Sequence, residues 1–141
     1  MTEAKNLHYE IIHKNFHNKE IDIIRREDDF WMTAEMIGLG LEYKNPRISI
    51  IKLYNSHKDE IEDFTSVIDL VTEAGIRKIT IFNEQGVYFL IIFSNQPKAK
   101  IFRRWVVSVI KQIRKTGSYL DKSEGELIMK TLQTKLDQIL K

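Results

Sequence analysis

The stretch PKAKIFRRWVVSVIKQIRKTG, residues 97–117, decides how the rest of the chain is read. Pro97 suits the first turn of a helix, where its missing N–H has no partner to lose, and Gly117 suits the position just past a helix end. Between them Ile101, Phe102, Trp105, Val106, Val109, Ile110 and Ile113 recur at helical spacing, which predicts one apolar stripe and a helix packed along one side. At about 3.6 residues per turn, Lys100, Arg103, Arg104, Lys111, Arg114 and Lys115 fall within an arc of roughly 120° opposite that stripe. Residues 98–115 hold seven bases, Lys98 included, and no acid. A helix that exposes lysine and arginine only to stay wet usually mixes in acids for i,i+4 pairing. An unbroken cationic face is suited instead to phosphates. Trp105 could stack on a base, but its place in the stripe makes it a core residue, and Trp31 is read the same way.

Working outward, the charges of the whole chain are segregated. Its formal net charge is only +2, yet residues 59–73 hold six acids (Asp59, Glu60, Glu62, Asp63, Asp69, Glu73) and no base. One surface therefore attracts anions while another repels them. At 141 residues and 43% hydrophobic, the chain is long enough for one domain with a real core plus a short appendage. The absence of cysteine excludes disulfides, thiolate metal sites and thiol nucleophiles. No run is apolar and long enough to span a bilayer, and residues 1–15 interleave charges with apolar positions, unlike a secretory signal. The expectation is a soluble protein without membrane contact, cytoplasmic in a host cell and nuclear if that host is eukaryotic.

The first third reads as short antiparallel strands. Ile21, Ile23 and Ile24 follow a polar turn at Asn18 and Lys19, and Phe30 and Trp31 follow an acidic turn at Glu27, Asp28 and Asp29. Thr33 is placed to cap a brief helix through Ile37, with Gly38-Leu39-Gly40 as its stop. Asn45 and Pro46 read as an N-cap and first helical residue, and Ile48, Ile51 and Tyr54 then repeat at helical spacing to about residue 57. Strands are expected over 64–71 and 79–82, joined around Glu73, Ala74 and Gly75. The run 87–93 fits a strand by its β-branched and aromatic residues and a helix by Asn83 in front of it. The fold class is therefore α+β: small antiparallel strands packed with several helices, one of them long, amphipathic and basic. A last helix is expected over 123–141, where Met129, Leu132, Leu136 and Ile139 have coiled-coil spacing. Two heptads are not stable alone, so this tail is expected to dock on the body, pair with another copy or begin something longer, and pairing makes it a candidate oligomerisation segment.

Few side-chain constellations point to chemistry. His13 and His17 are four apart, but in strand and turn, and neither a carboxylate nor a further histidine follows at ligand spacing. They read as surface residues; no metal, no cofactor and no catalytic residue is nominated. No Gly-rich phosphate loop, nucleophile elbow or paired acid and base occurs, so an enzyme is not expected. The two helices near 33–37 and 46–57 imitate a helix-turn-helix only in part, because residues 38–45 between them exceed the usual three or four.

Four stretches fall in a recognisable order. They are WMTAEMIG (31–38), YKNPR (43–47), IFNEQGVY (81–88), and the series from Ser94 through Pro97, Ala99, Phe102, Arg104, Trp105 and Val106 to IRKTGSY (113–119). Together they resemble the amino-terminal domain of the BRO family, found in baculovirus BRO proteins and phage antirepressors. The resemblance implies a compact α+β domain over 1–119 that binds DNA ahead of a variable region, in proteins that control viral or prophage gene expression. It also implies that 84–93 is helical. The chain departs from the family in carrying Lys111 where a proline is usual, which predicts a straight long helix, and in carrying Arg25 and Arg26 rather than an arginine near 21–23.

Double-stranded DNA is thus the expected partner, through Lys100, Arg103, Arg104, Lys111, Arg114 and Lys115, with Arg47, Lys52, Arg77 and Lys78 secondary; the last two are expected just before the later strand. Phosphate contacts position a protein without reading sequence, so base recognition would fall to polar side chains such as Asn45, Arg47, Ser49 or Asn55. The alternative is a protein-interaction module that grips a repressor with its basic helix and makes no DNA contact. In either case residues 120–141 are expected to make a homo-oligomer.

Overall fold

Two tight turns organise the amino-terminal half of the computed structural model, which describes residues 9–117. His17 and Asn18 join β1 (Glu10–Phe16) to β2 (Lys19–Arg26), and Glu27 and Asp28 join β2 to β3 (Asp29–Thr33). All four turn residues have positive φ (50°, 66°, 54° and 65°), the handedness that two-residue hairpin loops require. The first turn therefore sits one residue earlier than the polar pair Asn18-Lys19 suggested, and Asp29 belongs to β3.

Thr33 caps α1 (Ala34–Gly40), its Oγ1 accepting from the Met36 N–H at 3.2 Å. The glycines do not stop this helix, which runs through Gly40. A Cβ on Gly38 would collide with the backbone of Pro46, and one on Gly40 would overlap the Phe102 ring. They serve close approach rather than termination. α2 (Pro46–Ser56) begins at its proline as expected, but the Asn45 side chain makes no capping bond. Its core residue is Ile50, fully buried, whereas Ile48 is 52% exposed and Ile51 half-buried.

A short helix α3 (Lys58–Ile61) and a 3-10 turn (Glu62–Phe64) lead into β4 (Thr65–Thr72) and β5 (Gly75–Asn83). The five strands run in the order β1-β2-β3-β5-β4, each pair antiparallel. β5 starts at Gly75, not 79, so Arg77 and Lys78 lie within it rather than before it. The ambiguous run is helical: α4 (Glu84–Phe93) is capped by Asn83, whose Oδ1 accepts from the Gly86 N–H at 3.0 Å. Phe89 stacks on Phe64 and Phe93.

Strand alternation divides the sheet into two faces. Ile21, Ile23, Met32 and Phe82 are fully buried on one, where the Tyr54 ring of α2 meets Phe82 edge-on at 5.3 Å. The other carries a separate cluster of Ile24, Trp31, Ile68 and Ile81, flanked by Tyr9, Leu70 and Ile79.

The last described element, α5 (Ala99–Gly117), is continuous through Lys111, as the missing proline predicts. The chain divides within it: residues up to Trp105 form one compact unit and those from Val106 another. In the first, Phe102 is buried against Phe16, and Trp105 is half-buried with its ring 5.1 Å from that of Phe16. In the second, Val106, Val109, Ile110 and Ile113 are buried. On the helix wheel, at about 100° per residue, the buried side chains span an arc of roughly 100°. Ile101 lies about 130° from the centre of that arc. It is 47% exposed and so not part of the stripe. Among the described residues no helix is long and apolar enough to cross a membrane. The boundary at 119, the tail 120–141 and its seam of Met129, Leu132, Leu136 and Ile139 lie outside the described residues.

Candidate nucleic-acid interface

Lys100, Arg103, Arg104, Lys111, Arg114 and Lys115 are all exposed along α5. None of the described acids forms an ion pair with Lys100, Arg103, Arg104, Lys111 or Lys115. The seventh base of the run is different. Lys98 Nζ lies 3.9 Å from Glu42 Oε2, which also takes Lys19 Nζ at 2.9 Å. The Lys19 hydrogen bond holds the Glu42 carboxyl below its ordinary pKa. Lys98 is therefore partly neutralised, whereas no described acid pairs with Lys100, Arg103, Arg104, Lys111 or Lys115.

On α2, Arg47, Ile48, Lys52 and Asn55 are exposed within one arc of the helix. Asn45 is exposed as well, and the missing cap bond leaves its amide available. Ser49 is half-buried. Of the four polar side chains considered for base recognition, Asn45, Arg47 and Asn55 are thus the accessible ones.

Arg77 and Lys78 are exposed on successive positions of β5, so they point to opposite faces of the hairpin. Lys78 Nζ pairs with Asp69 Oδ1 across the ladder at 3.1 Å. The fold brings Arg47, Arg77 and Lys78 together around a cleft of about 580 Å³, whose lining also includes Ile24, Ile51, Leu70 and Ile79. Lys52 does not line it.

A cluster that the sequence did not suggest lies on the β1–β2 hairpin. His13 Nδ1 is 2.6 Å from Asp22 Oδ1 and 2.7 Å from Glu20 Oε2. His13 and Asp22 face each other in the ladder, with Glu20 two residues along on the same face. The Asp22 hydrogen bond raises the imidazole above its ordinary pKa. A two-residue loop at 17–18 dictates this pairing, so the signal is present in the sequence once the turn is placed correctly. His17, weighed as the companion of His13, instead stacks on Phe16 at 4.2 Å. Arg26, to which the sequence assigned no role, has its guanidinium 4.8 Å above the Trp31 ring and donates to Ser66 Oγ at 3.1 Å.

Comparison with known proteins adds to this picture. The model of the BRO family, N-terminal domain, matches residues 20–112. An uncharacterized protein of Haemophilus influenzae is 45% identical over 49 residues, which cover 34% of this chain and 24% of that protein. The chain thus matches about a quarter of that relative's length. No solved structure matches it. With the family match taking in β2 through most of α5, well over half of the sequence, the chain belongs to the BRO family and carries its N-terminal domain.

Proposed function

We propose that this chain is a DNA-binding regulatory module, not an enzyme, of a viral or prophage antirepressor, and that duplex DNA meets it along α5. The observation that carries this reading is the row of six exposed bases on one helix with no acid among them. Such a row neutralises phosphates and releases counterions, which gives sequence-independent affinity. Base recognition then falls to the exposed side of α2, where Asn45, Arg47 and Asn55 can hydrogen-bond to base edges. Self-association through the heptad-spaced tail belongs to the same proposal, since paired half-sites need paired domains. Truncation after Tyr119 should lower the mass in solution from that of an oligomer to that of a monomer, and a monomeric mass for both forms would reject that part.

The test is a mobility shift of the full chain with randomised duplex DNA at several salt concentrations. Retarded complexes that dissolve as salt rises support the reading. Absence of any complex at low salt would leave α5 as a solvated face.

A further inference from the structure

The neighbouring strands at the middle of the sheet are unequal. β3 has five residues and β5 has nine, and only Ile81, Phe82 and Asn83 of β5 pair with β3. Residues 75–80 run past its end. The hairpin loop at Glu73 and Ala74 makes Thr72 and Gly75 the first pair of the β4–β5 ladder. Antiparallel alternation from that pair turns the backbone N–H and C=O groups of Ile76, Lys78 and Thr80 away from β4, toward the side that β3 does not reach. β2 also outruns β3, pairing with it only through Ile24, Arg25 and Arg26. There the next inward-facing amide, that of Asp22, is met by Met36 Sδ at 3.3 Å. No comparable partner meets Ile76, Lys78 or Thr80 among the described residues.

The space between the two diverging hairpins is the cleft of about 580 Å³. We propose that it takes an extended acidic segment of a partner protein, which adds as a strand to the open edge of β5. Six free backbone groups on three alternate residues offer a strand its hydrogen bonds, the recognition mode in which main chain gives affinity and pockets give specificity. Ile24, Ile51, Leu70 and Ile79 line the cleft and suit alternate aliphatic side chains of such a segment. Arg47 and Arg77 suit its carboxylates. Neither arginine pairs with a described acid, whereas Lys78 is already held by Asp69. Asp22 and Glu35 also line the cleft, so the acids of the segment must lie toward the arginines, which fixes its placement. The same two acids disfavour a phosphate backbone, and a duplex has no groups that complete a strand edge. The proposal does not depend on DNA binding by α5.

The experiment uses the isotope-labelled full chain and four probes: a seven-residue peptide alternating glutamate and valine, its lysine-for-glutamate counterpart, its version with proline at alternate interior positions, and random-sequence duplex DNA. The expected result is that the acidic peptide shifts the amides of Ile76, Lys78 and Thr80 and slows their hydrogen exchange, while the lysine and proline peptides do neither. Arg47→Glu with Arg77→Glu, both exposed and so compatible with folding, should weaken the acidic peptide by at least about tenfold and leave the amide spectrum of the free protein otherwise native. Absence of shifts at millimolar peptide, equal binding of the lysine peptide, or unchanged affinity in the double variant overturns the proposal. Displacement of the peptide by duplex DNA, with shifts at the same amides, overturns it too and assigns the cleft to nucleic acid. DNA binding that leaves these amides untouched keeps the strand edge apart from the DNA surface, as expected, with Arg47 the one side chain assigned to both.

Discussion

Replacing Gly40 with alanine would drive a Cβ into the ring of Phe102, and the same change at Gly38 would meet the backbone of Pro46. Helix propensity alone favours alanine over glycine by about 1 kcal/mol. Overpacking a filled site costs about 1–3 kcal/mol, and more where the neighbour is backbone. Both variants should therefore lose stability in urea denaturation, Gly38→Ala the more, and a gain in either would mean that the contact yields. The sequence suggested a helix stop at these glycines because it could not reveal that Pro46 and Phe102 arrive against them. His13 tests a different kind of contact. Its pKa is raised, so the stability its protonated form supplies is fully present below the ordinary histidine value and is lost as pH rises through the higher folded value. An NMR titration should place His13 above the ordinary histidine value, and His13→Asn should abolish that pH-dependent increment. Titration of His13 at or below its ordinary value would contradict the clamp.

At the scale of elements, much of the architecture was legible because capping chemistry is local. Thr33 in front of α1 and Asn83 in front of α4 both make the bonds their residue types suggest. The run 87–93 was not resolved by composition, since its β-branched and aromatic residues suit a strand as well as a helix buried on several sides. Val87, Leu90 and Ile91 are buried while Phe89 and Phe93 stack, so tertiary packing overrides strand propensity. On α2, three isoleucines in four positions fit either of two faces, and only the fold selects Ile50. Ile50→Ala should cost about 2–5 kcal/mol, and Ile48→Ala should stay within about 0.5 kcal/mol, by the same denaturation measurement. Similar losses at the two positions would place the buried side of α2 wrongly. α5 was read almost whole, because one stripe of large side chains opposite one arc of bases leaves little freedom; the exceptions are Ile101, well outside the buried arc, and Trp105, half-buried at its edge rather than in the core.

For the whole molecule, what the sequence could not supply is the adjacency of β3 and β5, which joins Trp31, Met32 and Thr33 to Asn83, Phe82 and Ile81. Nothing local specifies a pairing across so long a separation. The cleft follows from that adjacency and from unequal strand lengths, so Arg47, Arg77 and Lys78 could be nominated singly but not as neighbours. The bases of α5 needed no such information, being gathered by one helix. They also carry the central claim. If about six phosphates are neutralised, log affinity for random duplex DNA plotted against log salt should slope by about −5. Arg103→Glu, Arg104→Glu and Lys111→Glu together should flatten that slope by about 3 and weaken random and preferred sequences alike, because the proposed contacts are to phosphates and carry no base reading. All three side chains are exposed, so the fold should persist. The measurement is the salt dependence of DNA affinity for the full chain and for this folded triple variant: a slope near −5 that falls toward −2 agrees with the account, and a folded variant with undiminished affinity and an unchanged slope contradicts it.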